Sequence, residues 1–429
     1  MFEGGQLNIR SLFLSAMTVI ALSGSMRAQE SDSMRNQMEG LKTKVEGMQV
    51  GLETVQGDVA ELKKFKVGGY IQLRFDWDQT SVSSVAGPPI TKQTGNNNQI
   101  AYFRRARIKF DYDNGSSKYR LYVNAGRTTP VEILEAYAEW LYTIPAENLP
   151  IALNLRLGQQ NWAFGYEIEY SSSSRDFPER TKVESDLFNG ERDRGANLNI
   201  AFPKYVQMNV GVWQGTGTKS DTKSPFLWMD PTKKKDVIGR IRFNYESFYL
   251  GFSGYWGKYL DPGADANAGT LKWTDKNQNN TIDSGEVTIV GASAAKPAVM
   301  YDKSRTGVDA QAFLNLLPIG GTGLRGEYMF AHDKGLRKDG WYLWLSQSLT
   351  PKLGAAVRYQ TFDPNKDNVV TKSGDDKLNT VSLAFHYFWD TKTRITLAYD
   401  INKEPGKTAA GKDREVKNNL FTIQWQFSF

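Results

Sequence analysis

The 429-residue chain combines 40% hydrophobic and 12% aromatic residues with 23% charged ones, which excludes a disordered polar polymer. It has no cysteine, so disulfide scaffolds, thiolate metal centres and thiol catalysis are out, and its two histidines, His332 and His386, are too few for a histidine-rich metal site. The 53 basic against 47 acidic residues leave +6, an excess whose placement matters more than its sum.

Residues 1–28 read as a secretory signal. Arg10 precedes an apolar stretch from Leu12 to Leu22, the small residues Ser23, Gly24 and Ser25 follow, and cleavage is expected near Ala28. That stretch is shorter than the ~18 residues a spanning helix needs, and no later apolar run reaches that length. From 29 to 64, Met34, Met38, Leu41, Val45, Met48, Leu52, Val55, Val59 and Leu62 alternate steps of four and three, the 3.5-residue period of a coiled-coil seam. Gly40, Gly47, Gly51 and Gly57 each cost such a helix about 1 kcal/mol relative to Ala. It therefore needs partner helices held at high local concentration, or another surface to lie on.

Beyond Lys64 the period falls to two. Ile71, Leu73, Phe75 and Trp77 share one face, and Gln72, Arg74, Asp76 and Asp78 the other. The same alternation sets Leu149, Ile151, Leu153, Leu155 and Leu157 against Asn154 and Arg156, and Val237, Ile241 and Phe243 against Arg240 and Arg242. About sixteen such segments of roughly ten residues run to the C-terminus, joined by tight turns such as Asp113-Asn114-Gly115 and by longer polar loops. A soluble sandwich uses shorter strands with the polar face outermost. Long strands with arginine on nearly every polar face fit an antiparallel transmembrane β-barrel over 65–429, whose apolar face meets lipid and whose polar face meets a water-filled lumen. The last segment alternates Phe421, Ile423, Trp425, Phe427 and Phe429 with Gln424, Gln426 and Ser428 and ends the chain on an aromatic. Trp77, Trp140, Trp256 and Trp389 suit interface girdles.

Five stretches now carry a family resemblance: FRRARIKF (103–110), GQQNWAFGYEIEYSSSS (158–174), Asp309 to Gln311, Gly326-Glu327-Tyr328, and GWYLWLSQSLTPKLGAAVRYQTFDP (340–364). Together they resemble the phosphate-selective porins O and P, over nearly all of 65–429. The resemblance implies a 16-stranded homotrimeric channel in the outer membrane of a Gram-negative bacterium, with the loop from Trp162 to Arg180 folded inward as a constriction. Residues 29–64 would then form a parallel coiled-coil stalk in the periplasm. Phosphate or polyphosphate enters as a suspected solute on the same footing. No nucleic-acid partner is expected; the partners are small anions, lipid and further copies of the chain.

Read literally, the alternation sends Arg74, Arg105, Arg107, Lys109, Arg120, Arg156, Arg240, Arg242, Arg305, Arg325 and Arg358 into the lumen. Guanidinium groups keep their charge at any working pH, and their forked donors match phosphate or carboxylate oxygens, so a row of them can pass an anion along. Asp76, Asp78, Asp111, Glu135, Glu139, Asp309 and Glu327 share the parity, so the alternative is a general pore with cross-paired charges. The consecutive Arg104-Arg105 pair with Arg107 and Lys109 is the densest basic cluster and the first choice for the translocation path; Arg104 has the opposite parity, so the alternative for it is to snorkel to the interface or to a subunit boundary.

Asp275 to Glu286, DKNQNNTIDSGE, follows the twelve-residue calcium loop, with Asp275, Asn277, Asn279, Thr281, Asp283 and Glu286 at the ligand positions and Asn280 where Gly is usual. A structural Ca2+ in an extracellular loop is the expectation, against a solvated Asn-rich loop. No enzyme is expected: neither histidine accompanies a Gly-x-Ser-x-Gly element. A structural or surface-interaction barrel is the remaining rival to a channel.

Overall fold

The computed structural model describes residues 28–79, 98–126, 131–145, 149–202, 205–218, 234–261, 263, 265–267, 269–274, 281–284, 286–291, 293–367, 377–407, 413–416 and 418–429. The expected leader, apart from Ala28, lies outside them. The chain divides into two units at Lys64/Phe65.

The first unit contains one helix, α1 (Ala28–Lys64). The heptad residues from Met38 to Leu62 are exposed along it. The 3.5-residue pattern thus lies on a helix, with its apolar residues exposed among the described residues.

The second unit is a closed antiparallel barrel of sixteen strands. They are β1 (Phe65–Asp78), β2 (Asn98–Asp113), β3 (Ser117–Asn124), β4 (Glu132–Ile144), β5 (Ile151–Asn161), β6 (Arg192–Phe202), β7 (Val206–Trp213), β8 (Asp236–Tyr245) and β9 (Phe248–Asp261), with a hairpin of β10 (Thr270–Trp273) and β11 (Val287–Val290) standing outside the ring. The ring resumes with β12 (Val299–Leu317), β13 (Gly320–Asp333), β14 (Leu336–Thr350), β15 (Leu353–Asp363), β16 (Leu378–Phe388) and β17 (Thr393–Lys407). After the short β18 (Asp413–Val416), which pairs with β17, β19 (Leu420–Ser428) closes it. Closure is direct: β1 pairs with β2 through Tyr70↔Arg107 and with β19 through Leu73↔Trp425, so every ring strand has two neighbours. Backbone groups that lipid could not solvate are paired in consequence.

Side-chain burial follows the alternation, inverted relative to a soluble protein. In β1, Tyr70, Gln72, Arg74, Asp76 and Asp78 are buried inside, while Ile71 and Trp77 are exposed outside. Leu343, Trp256 and Phe103 are likewise exposed outward, as lipid-facing residues are. Tight turns gather at one end, among them Glu246-Ser247 and Pro351-Lys352, whereas the strand ends Asp78 and Asn98, and Asp261 and Val299, lie at the other.

Candidate functional site: a loop-constricted lumen

Residues 162–191, between β5 and β6, turn into the barrel instead of away from it. Apolar side chains explain why. Trp162, Phe164, Ile168, Val183, Leu187 and Phe188 of this segment pack on Trp213, Ile238, Tyr255, Met329, Ala331 and Phe362, all from the inner wall of β7–β15. Each such side chain removed from water contributes about 1.5–3 kcal/mol, and a wall of this kind has no other apolar partner in a wet lumen. A second patch joins Phe177 to Tyr342 and Trp344. The segment includes a short helix, α2 (Lys182–Leu187).

Polar contacts then fix its course. Gly165 sits at φ 56° and its N–H donates to Ser253 Oγ at 3.0 Å, while a Cβ there would collide with the Glu327 carboxylate. That carboxylate accepts from the Tyr166 and Glu167 N–H groups at 3.3 and 3.4 Å, so glycine is required for the close approach. Across the lumen, the Ser173 carbonyl accepts from Gln426 Nε2 at 2.9 Å and Arg394 Nη2 at 3.2 Å.

Three arginines converge on Glu179: Arg74 Nη1 and Arg104 Nε both at 2.6 Å, and Arg105 Nη2 at 3.2 Å. Burial alone would raise this carboxyl, but Arg104, Arg105 and Arg74 together hold it well below the usual carboxylate range. Arg104 therefore faces inward, contrary to the parity expectation. A β-bulge is the reason: Gln72 pairs with Arg105 and Leu73 with Phe103, so Arg104 is an extra residue and consecutive side chains both point into the barrel. Glu184 in α2 is the opposite case. Burial, then the neighbouring Glu327 and Glu167, push its carboxyl well above the usual range.

The segment leaves a cavity of about 670 Å3 between itself and the wall of β1–β8. Arg107, Lys109, Arg120, Arg156 and Arg242 line it from the strands predicted, and Arg180 and Arg192 join them. Glu135, Glu139, Glu169 and Glu191 are the acids present, so seven cationic side chains face four acidic ones. Amides such as Asn154, Asn197, Asn199 and Asn209 fill the remaining wall. Aromatic rings hold the guanidinium groups against that wall: Arg156 lies 4.4 Å from the Tyr137 ring centre, and Arg107 lies 5.8 and 5.7 Å from those of Tyr70 and Tyr122. Ion pairing is partial. Asp111 meets Arg120 at 2.6 Å and Lys109 at 3.4 Å, Arg156 meets Glu139 at 3.0 Å, Arg192 meets Glu135 at 3.2 Å and Arg180 meets Glu191 at 3.1 Å, whereas Arg107 and Arg242 donate to neutral oxygens of Asn124, Tyr70, Ser172 and Gln207.

The other six predicted arginines lie against the inserted segment or beside it. Arg74 and Arg105 hold Glu179, Arg240 bridges Glu169 and Asp309, and Arg325 meets Asp176 at 3.3 Å. Arg358 donates to the Glu179 carbonyl at 3.1 Å, and Arg305 stacks over Phe188 while facing Asp333 at 3.5 Å. Sequence reasoning missed Glu179, Glu191 and Arg192. It also missed Arg175, which is buried with Nε and Nη1 lacking hydrogen-bond partners among the described residues. The available signal was a departure from alternation: Trp213, Ile238, Tyr255 and Met329 are apolar at lumen parity, which demands something apolar inside.

Of the calcium positions, Asp275, Asn277 and Asn279 lie outside the described residues. Glu286 is buried and its carboxylate accepts from Trp273 Nε1 and the Asp283 N–H, both at 3.2 Å. Among the described residues no group of three His, Asp or Glu side chains is arranged to hold a metal ion. His386 is buried on the lumen face with Nδ1 3.1 Å from Thr396 Oγ1, and His332 is exposed beside Asp333.

Comparison with known proteins completes the picture. The phosphate-selective porin O and P family matches residues 71–429. No curated protein is similar to the chain in sequence. The barrel is similar to the outer-membrane channel DcaP of Acinetobacter baumannii, with TM-score 0.52 and 14% identity over 85% of this chain and 97% of that one. It is similar also to the anion-selective porin from Comamonas acidovorans (TM-score 0.52, 10% identity, 85% and 99% covered) and to OprB of Pseudomonas putida (0.54, 11%, 86% and 96%). At these identities the likeness to solved structures is one of fold. The family match, over most of the chain, carries the assignment: this outer-membrane β-barrel belongs to the phosphate-selective porin O and P family.

Proposed function

We propose that this porin prefers small anions, which diffuse passively through the passage between segment 162–191 and the β1–β8 wall. One observation carries the reading: the excess of cationic side chains over carboxylates lining that passage, six guanidinium groups and one ammonium against four acids. A low-dielectric wall magnifies the excess, and the partial ion pairing keeps each site weak enough for an anion to leave. Broad preference is favoured over narrow selectivity, because the tightest cluster, Arg74, Arg104 and Arg105, already holds Glu179. Phosphate, which the family's description supports, is then one solute among several.

The same proposal includes a homotrimer with residues 29–64 as a periplasmic stalk. The exposed heptad residues of α1 support it, as does the start of β1 among the short turns, which outer-membrane barrels direct to the periplasm. The test is the reversal potential of single channels in a KCl gradient, with phosphate added at rising concentration. Chloride preference with block only at millimolar phosphate is expected. Cation preference would reject the anion reading, micromolar block would mark a dedicated phosphate site, and a silent bilayer would favour a structural or surface-interaction role.

A further inference from the structure

A second cavity, of about 720 Å3, opens on the inner wall near the tight-turn end of the barrel. Its volume falls in the range of about 300–1,000 Å3 typical of small-molecule sites. The lining departs from that of the first cavity, since aromatic rings replace most of the charge. Tyr249, Phe313 and Tyr166 face it together with Gln207, Arg242 and Gln311.

The anomaly is Phe313. It is 39% exposed, yet it shares a strand face with the lumen residues Asp309 and Gln311, where a barrel ordinarily presents polar groups to water. Arg325 covers one side of its ring at 5.1 Å, and Tyr249 meets it edge-on with ring centres 5.9 Å apart. Tyr166, from the inserted segment, stacks on Tyr170 at 5.0 Å and contributes the opposite side of the cavity. Such rings, left wet, attract a further ring.

Charge sets the other end. Arg242 lines both cavities, gives Nη2 to Gln207 at 2.6 Å, and leaves Nε without a hydrogen-bond partner among the described residues. Glu246 lies at the rim, and Arg240, Glu169, Asp309 and Tyr249 act on Arg242 electrostatically. We propose that this mouth is a binding site for aromatic carboxylates, the solute ring lying on Tyr249 and Phe313 and its carboxylate on Arg242. The inference rests on the anion-preferring reading and names a solute class within it. A ring and a carboxylate together suit this cavity, whereas inorganic anions leave its aromatic wall unused.

The test compares block of the single-channel chloride current by benzoate, acetate and benzyl alcohol, added to either chamber. Benzoate is expected to half-block at a concentration about tenfold below that of acetate, with benzyl alcohol weaker than both. Phe313→Ser should erase the benzoate advantage and leave acetate block unchanged. Equal block by benzoate and acetate in the unaltered protein overturns the site without touching the anion reading. Equal block by benzyl alcohol and benzoate overturns the role of Arg242. Cation preference with benzoate block intact would reject the broader anion reading and keep the site.

Discussion

Glu179 determines what the densest arginine cluster can do. Its carboxylate occupies three guanidinium groups that would otherwise face the lumen, so it acts as a resident anion. Replacing it with the isosteric amide keeps one acceptor oxygen, turns the other into an N–H2 donor that faces arginine donors, and removes one negative charge. A unit charge felt over about 8 Å at an effective dielectric of about 20–40 is worth about 1–2 kcal/mol. Glu179→Gln is therefore expected to raise the chloride-to-potassium permeability ratio about fivefold, more at low salt than at high. An unchanged ratio would mean that Arg74, Arg104 and Arg105 are out of reach of the permeating ion. Arg104 also marks a limit of sequence reasoning at this scale. Parity sends it outward, and only the bulge opposite Gln72 and Leu73 brings it in. Nothing in the string FRRAR distinguishes a bulged strand from a regular one.

Among the elements, α1 and the inserted segment were unequally legible. The heptads from Met34 to Leu62 specify a helix by period alone, and the helix spans 28–64. What covers its stripe is a property of the assembly. If α1 zips copies together, an acid in the seam must be buried unpaired at a cost of several kcal/mol per chain. Leu52→Asp should then lower the temperature at which oligomers dissociate on semi-native gels while the barrel still folds; an unaltered temperature would remove α1 from the interface. Segment 162–191 reads as a polar and aromatic connection of thirty residues, and the apolar patch that draws it inward is spread over five strands. Its partners are distant in sequence, so they are visible only once the ring has closed.

The whole molecule is governed by which solvent each face meets. Outward side chains such as Leu343 are exposed on the outer face that an outer-membrane barrel turns to lipid, whereas Asn154 lines the inner cavity. Leu343→Arg at mid-wall should cost about 2–4 kcal/mol of folding stability in lipid vesicles. Asn154→Arg should cost less than about 1 kcal/mol and increase anion preference. Similar costs at the two positions, measured by denaturant titration in vesicles, would contradict the inside-out arrangement.

The sequence by itself determined the barrel. Period-two alternation with arginine on the inner parity, sixteen segments and an aromatic terminus leave few other ways to satisfy backbone and side chains at once. It also placed Arg107, Lys109, Arg120, Arg156 and Arg242 on the inner wall, where they line the first cavity, because parity is a local property of a strand. Only the tertiary structure decided which guanidinium groups remain available. Ion pairing such as Arg240 with Asp309, or Glu179 with its three arginines, joins residues about seventy to a hundred positions apart, and their charges cancel or persist according to distances that alternation does not encode.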